Sequence, residues 1–262
     1  MKAWKVFLGI GAGVLVIGLI VMLIGLGLND WSFKVEYEMK TFNSEQETTT
    51  LDLSLAAGEM NVVYYEGENI EVNYPTSYKY GYEVSERNGT LTVEPQQHFG
   101  VWFGFGWNKV PAVTVKIPKG KVMDLKLDLS AGVARVEDCS EFGNVRVRLS
   151  AGWADLGSMV CNKFNASLSA GKLDVDRVEC SDFDLHLSAG VANVDFLKCD
   201  DISVKLSAGT ASVTVLGNKS DYSISVDRSA GSCNVSNQTG AVVGKTIDVD
   251  LSAGSVSVEF TD

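Results

Sequence analysis

The sequence predicts an all-β protein, a single-stranded parallel β-helix (β-solenoid) of about 19–20 residues per rung preceded by one transmembrane helix. Three observations predict it: a triplet repeated at a nearly constant interval, a side-chain parity that flips at each copy, and an uncharged run near the N-terminus. Ser-Ala-Gly occurs seven times, with glycines at Gly132, Gly152, Gly171, Gly190, Gly209, Gly231 and Gly254, spaced 20, 19, 19, 19, 22 and 23 residues apart. A period near 20 with no helical spacing inside it marks stacked units, each too small to bury its own apolar side chains.

Ahead of each triplet apolar residues alternate, as in Leu125, Leu127 and Leu129, or Phe183, Leu185 and Leu187, which is the pattern of a half-buried strand. After the glycine the apolar positions become the second and fourth, as in Leu173 and Val175 or Ala192 and Val194. That flip requires a corner, where glycine takes backbone angles that a Cβ disfavours and the alanine is expected to bend tightly over the core. A second flip turns Met159 and Cys161, Val178 and Cys180, and Leu197 and Cys199 inward, and a third precedes the next Phe or Ile. A 19-residue rung is odd, so equivalent residues stack only with an odd number of flips; three gives a three-sided rung. At about 4.8 Å per stacked strand, seven rungs taken in sequence order make a rod on the order of 34 Å long. Leu55-Ala56-Ala57-Gly58 copies the corner with alanine in place of serine, so the stack is expected to begin there, with Gly58 as its first corner.

From Val6 to Leu28 no residue is charged, long enough to span a hydrocarbon core at 1.5 Å per helical residue. Lys2 and Lys5 precede the run, Asn29 and Asp30 follow it, and Trp4 and Trp31 bracket it. The positive-inside rule then leaves residues 1–5 in the cytoplasm, 6–28 as the transmembrane helix and the rest outside, at the cell membrane. A cleaved signal peptide is the alternative, against which stand the length of the run and the lack of a small-x-small site after it.

Outside the membrane the expected division is a β-rich capping part, 31–120, and the Ser-Ala-Gly solenoid, 121–262. Within the cap, Lys40 to Thr50 reads as a polar loop or tether. Strand-like runs lie at Ile70–Tyr74, at Leu91–Glu94 after the Asn88-Gly89 turn, and at Val113–Ile117. The cap shields an edge the stack would otherwise expose. Between these strands stand Phe99, Trp102, Phe103, Phe105 and Trp107, interleaved with glycines. These five aromatics either plug the solenoid or form the candidate binding site, a finger that touches the outer membrane leaflet, a lipid-linked ligand or a partner protein.

The net charge of -11 argues against nucleic acid and anionic lipid as partners. No catalytic constellation is visible: the serine of the triplet recurs in every rung, whereas nucleophilic catalysis needs one unique serine with its base, and the outward residues before the corner carry mixed charges without a repeated acidic pair. No metal site and no cofactor are expected, since neither His98 nor His186 has a cysteine at ligand spacing. Of Cys139, Cys161, Cys180, Cys199 and Cys233, three repeat at 19 residues and are expected to stack inside the rod, as a free-thiol ladder or with a disulfide. Arg228 takes the inward place of a leucine, marking a bulge or pairing with a carboxylate.

The opening corner, the aromatic-glycine run before Val113-Thr114-Val115-Lys116-Ile117-Pro118, and the repeated Leu-Ser-Ala-Gly rungs together resemble a bacterial family of unknown function described as candidate adhesins. The resemblance covers nearly all of the chain after the anchor. It implies a membrane-anchored surface β-solenoid, associated in some members with envelope-stress systems, and it brings no catalytic residues. The expected function is therefore a non-catalytic, adhesin-like binding or spacing module on the outer face of the membrane, with an unidentified envelope or protein ligand. The alternative is a regulatory or sensor role in envelope stress exerted through a membrane partner.

Overall fold

A computed structural model describes residues 36–77, 81–96, 110–138 and 141–261. The transmembrane helix expected at 6–28, the five aromatics at 99–107 and Cys139 lie outside the described residues. Among the described residues no helix is long and apolar enough to cross a membrane. From Tyr37 onward they are all strand and turn except for one 3-10 turn at Lys219–Asp221. The first part of the chain forms β1 (Glu38–Asn43), β2 (Thr50–Leu55), β3 (Glu59–Tyr65), β4 (Glu71–Thr76), β5 (Tyr82–Arg87), β6 (Thr90–Pro95) and β7 (Val113–Pro118). The repeats form β8 (Asp124–Leu129), β9 (Val133–Val136), β10 (Asn144–Leu149), β11 (Trp153–Val160), β12 (Lys163–Leu168), β13 (Lys172–Leu187), β14 (Val191–Leu206) and β15 (Thr210–Leu216). The last part forms β16 (Ser223–Arg228), β17 (Ser232–Cys233), β18 (Thr246–Leu251) and β19 (Ser255–Thr261).

Three-sided rungs follow from the buried positions of β13, which runs through two bends without a break. Leu173 and Val175 point inward, then Val178, then Phe183, Leu185 and Leu187. Each change of side is a change of parity, as the odd rung length demands. Strands on adjacent rungs pair in parallel and in register, Leu168 with Leu187 and Leu187 with Leu206, so identical positions form columns through the core. Phe164 and Phe183 stack within one such column at 5.3 Å between ring centroids. Interior contacts of this kind leave no room for charged groups, and apart from the thiol of Cys199 the core positions of these strands are aliphatic or aromatic.

The corner glycines Gly58, Gly132, Gly152, Gly171, Gly190, Gly209, Gly231 and Gly254 all have positive φ, from 93° to 118°. Crowding excludes other residues as firmly as the dihedral does. A Cβ at Gly190 would overlap the carbonyl oxygen of Gly171, the same oxygen that accepts the amide of Val191 at 3.0 Å. The triplet's alanine does not bend over the core: Ala151, Ala170, Ala189 and Ala208 are exposed. It stands beside the serine on the outer side of the turn, where a small residue costs little and buries nothing.

Both ends of the stack are threaded out of sequence order. On the face ahead of the corner the order in space is β5-β6-β2-β8-β10-β12-β13-β14-β18-β16, with β5 antiparallel and the rest parallel. On the face after it the order is β1-β4-β7-β3-β9-β11-β13-β14-β15-β19-β17, with β1 and β4 antiparallel to their neighbours. The chain thus leaves β3, builds the end of the rod with β4 to β7, and returns to dock β8 and β9 on the other side of β2 and β3. At the opposite end β16 and β17 form the outermost rung, and the C-terminal β18 and β19 insert beneath it. Steady progression in sequence order therefore holds only for the middle rungs.

Two local expectations are also revised. Arg228 makes no bulge, because β16 pairs residue for residue with β18 and places Arg228 beside Leu251. It is exposed, since its rung is the last and its column ends in solvent, and among the described residues no carboxylate pairs with it. Lys40 to Thr50 is not a free tether. Residues up to Asn43 are strand, and 44–48 wrap the carboxylate of Glu86: Ser44 and Thr48 hydroxyls donate to Oε1 at 2.7 Å each, and the amides of Glu45 and Gln46 to Oε2 at 3.2 and 3.3 Å. Burial works against the charge, yet these hydrogen bonds outweigh it and hold Glu86 below the ordinary glutamate range.

A depressed folded-state pKa contributes stability that is complete above the ordinary value of 4.5 and fades as pH falls below it. Glu86→Gln is accordingly expected to cost about 1–2 kcal/mol at neutral pH. The variant's melting temperature should also fall less steeply on acidification below pH 4.5 than that of the parent. Parallel pH profiles for the two proteins would refute the assignment of Glu86 as the loop's anchor.

Candidate functional site

Outward side chains just past the corners form a polar cluster that crosses several rungs. In-register pairing of β9, β11 and β13 sets Trp153 between Val133 and Lys172, and Asp155 between Arg135 and Asp174. The Trp153 indole donates to Asp174 at 2.7 Å, Lys172 reaches the same carboxylate at 2.6 Å, and the Asn193 amide donates to it at 2.8 Å. Burial opposes ionisation of Asp174, but these donors together hold its carboxyl below the usual range. Arg135 pairs with Glu59 and lies 3.8 Å from Asp155. Arg135 and Lys172, one from the rung on each side, sit 5.5 and 5.3 Å from the centre of the Trp153 ring.

This arrangement braces three rungs and leaves little of the Trp153 ring free for stacking on a ligand. Next to it the carboxylates carry the opposite signature: burial, then repulsion from Asp155, Asp138, Asp195 and Asp174, pushes Asp176 above the ordinary aspartate range. Arg135 also borders a shallow open groove of about 350 Å³ lined by Asn61, Val62, Val63, Thr114 and Glu137. An amide, a hydroxyl, a guanidinium and a carboxylate beside Val63 offer hydrogen-bonding groups at the open surface.

Among the described residues no group of three or more His, Cys, Asp or Glu is arranged to hold a metal ion. The eight corner glycines form one column along the rod, and they act through the backbone. The aromatic candidates Phe99, Trp102, Phe103, Phe105 and Trp107 lie outside the described residues, but the strands that flank them do not. Sequence reading missed the Trp153 cluster because it compared outward residues only ahead of the corner. Aligning the first and third positions after each glycine, Val133-Trp153-Lys172 and Arg135-Asp155-Asp174, would have exposed it.

Glycine corners, parallel in-register rungs and polar outer faces define a β-solenoid scaffold, on which function is set by the groups it carries. The chain belongs to the Toastrack DUF4097 family, whose model matches residues 49–261. Among curated proteins none matches it. In fold it is similar to a candidate adhesin from Bacteroides fragilis NCTC 9343, at 14% identity and a TM-score of 0.47, covering 86% of this chain and 97% of that one. It is likewise similar to a candidate adhesin from Parabacteroides merdae ATCC 43184, at 11% identity and a TM-score of 0.41 over 87% and 97% of the two chains. A candidate cell adhesion protein from Clostridium sporogenes ATCC 15579 shares 15% identity and a TM-score of 0.39 over 86% and 100%. Likeness at this level carries no argument about activity.

Proposed function

We propose that the protein is a non-catalytic, membrane-anchored surface β-solenoid that serves as an adhesin-like binding or spacing module. The observation that carries this reading is the placement of the chain's ends on the stack. β1, the first strand after the uncharged 6–28 run, is outermost on its face, and β6 and β7, which flank the aromatic run, belong to the same end. Entry of the chain at this end supports a rod that stands on the membrane and presents its rung faces and far end outward. The second reading, an envelope-stress regulator acting through a membrane partner, draws on the same strands, because β1 and the strands that flank the aromatic run share one end of the stack.

Retention on isolated cell envelopes separates the two. For an adhesin-like module, Trp102→Ser with Trp107→Ser leaves retention unchanged, while Asn61→Ala with Glu137→Ala in the groove lowers it. For a membrane-proximal regulator the pattern reverses. Melting temperature is measured on the same variants: a loss of roughly 3 to 5 kcal/mol per tryptophan would make the aromatic run a buried plug and remove it from either reading.

A further inference from the structure

We propose that Cys161, Cys180 and Cys199 form an oxidation site at which a single disulfide is made between neighbouring rungs and passed along the rod, with Cys180 as the member common to both bridges. Every described cysteine is a free thiol. Cys180 and Cys199 are register partners on adjacent parallel strands, where the spacing of about 4.8 Å lies within the Cα separation a disulfide accepts. Their sulfurs are 3.4 Å apart, with the Cys180 thiol donating to Cys199 Sγ. Cys161 holds the equivalent place one rung earlier, its amide bonded to the Glu179 carbonyl at 2.9 Å. Cys180 thereby has a thiol above and a thiol below it.

Access singles out the same residue. Cys161 and Cys199 are buried, at 6% and 3% exposure, whereas Cys180 is only half-buried. The expectation of three thiols equally sealed in a dry interior is corrected on this point. Cys199 is further fixed by donating toward the carbonyls of Ser181 and Asp201 at 3.2 and 3.1 Å. Hydrogen bonding to Cys161, then to Cys199, and burial push the Cys180 thiol well above its ordinary range, so its thiolate is scarce and its attack on an oxidant is slow, while its exposure makes it the thiol of the three that an oxidant reaches.

A small disulfide RS–SR is the simplest such oxidant. Cys180 attacks it, forms Cys180–S–SR and releases RSH with the proton from Cys180. Cys161 then displaces the second RSH, giving the Cys161–Cys180 bridge; two thiols have lost two electrons and one small disulfide has gained them. Attack by Cys199 on Cys180 breaks that bridge, makes Cys180–Cys199 and returns a proton to Cys161, with no net oxidation. Stacking along the rod axis suits this transfer, since exchange runs best with attacking, central and leaving sulfurs in line. Occurrence in the cell rests on the extracytoplasmic placement proposed above, whereas the chemistry is a property of the purified chain and is measured independently of it.

The test is oxidation of the full-length protein in detergent micelles with excess oxidised glutathione, followed by alkylation and tryptic mapping without reduction. Lys163, Arg177 and Lys198 place the three cysteines on separate tryptic peptides. Both the 161–180 and the 180–199 bridges are expected to dominate, each with the loss of two hydrogens, and Cys180→Ser should abolish both. Cys199→Ser should leave only 161–180, and Cys161→Ser only 180–199; these two carry the test if the Cys180 variant fails to fold. Samples quenched at intervals after the oxidant is removed should relax to one fixed ratio of the two bridges. Persistence of free thiols, dominance of bridges through Cys139 or Cys233, or a 161–199 bridge would overturn the site. A ratio that stays wherever oxidation left it would overturn the transfer.

Discussion

Gly190→Val should lower the protein's stability by roughly 3 kcal/mol or more, read as a fall in the urea midpoint. Two costs coincide at this residue. Its φ of 117° lies in the left-handed region, which is worst for a β-branched side chain. The new Cβ would also collide with the carbonyl oxygen of Gly171, and that oxygen cannot retreat without breaking its bond to Val191. Ala189→Val, one residue earlier on the exposed side of the same turn, provides the control and should change stability by only about 0.5 kcal/mol. Equal midpoints for the two variants would refute the backbone-to-backbone account of the corner.

Truncation after Lys245 carries the other large effect. It removes β18 and β19 and with them the buried Ile247, Val249, Leu251, Val256 and Val258, on the order of 10 kcal/mol of apolar burial. Because β18 and β19 lie between β14–β15 and β16–β17, the damage should spread backward in sequence. Amides from Ser223 to Lys245 are expected to lose hydrogen-exchange protection although none of them was deleted. A longer truncation, after Gly217, should leave a folded remainder with the same protection pattern as the shorter one. Retained protection of 223–245 in the shorter chain would contradict the inserted position of the last two strands.

The middle of the molecule was legible because its rule is local and repeated. Leu173, Val175, Val178, Leu185 and Leu187 give away each change of side by parity alone, and Gly171 and Gly190 mark the corners by recurring. The ends were not legible in the same way. Intervals of 22 and 23 residues after Gly209 are compatible with longer loops between successive rungs, and only the pairing of Ile224 and Ile202 with opposite edges of Ile247 reveals the insertion. Glu86 was equally hidden, since its partners Ser44 and Thr48 lie about forty residues away and no periodicity links them. At the outer face, the Trp153 cluster was readable in principle, because its members repeat at rung spacing; the groove beside it was not, because Asn61 and Thr114 meet Arg135 only through the out-of-order threading of β7, β3 and β9.

The glycine column has a consequence for how such a molecule changes over generations. At the corner, the joint between neighbouring rungs is made by backbone atoms, the carbonyl of one glycine accepting the amide just past the next, so the corner joint reads no side-chain identity. A duplicated rung, Gly152 to Ala170, would meet the same backbone docking surface above and below, with new neighbours only among outward side chains such as Trp153 and Asp155. Height becomes a heritable quantity that changes in steps of about 4.8 Å. The threaded ends cannot be copied this way, because each needs both of its crossing partners, and so growth or shrinkage is confined to the interior of the stack while base and tip are passed on whole.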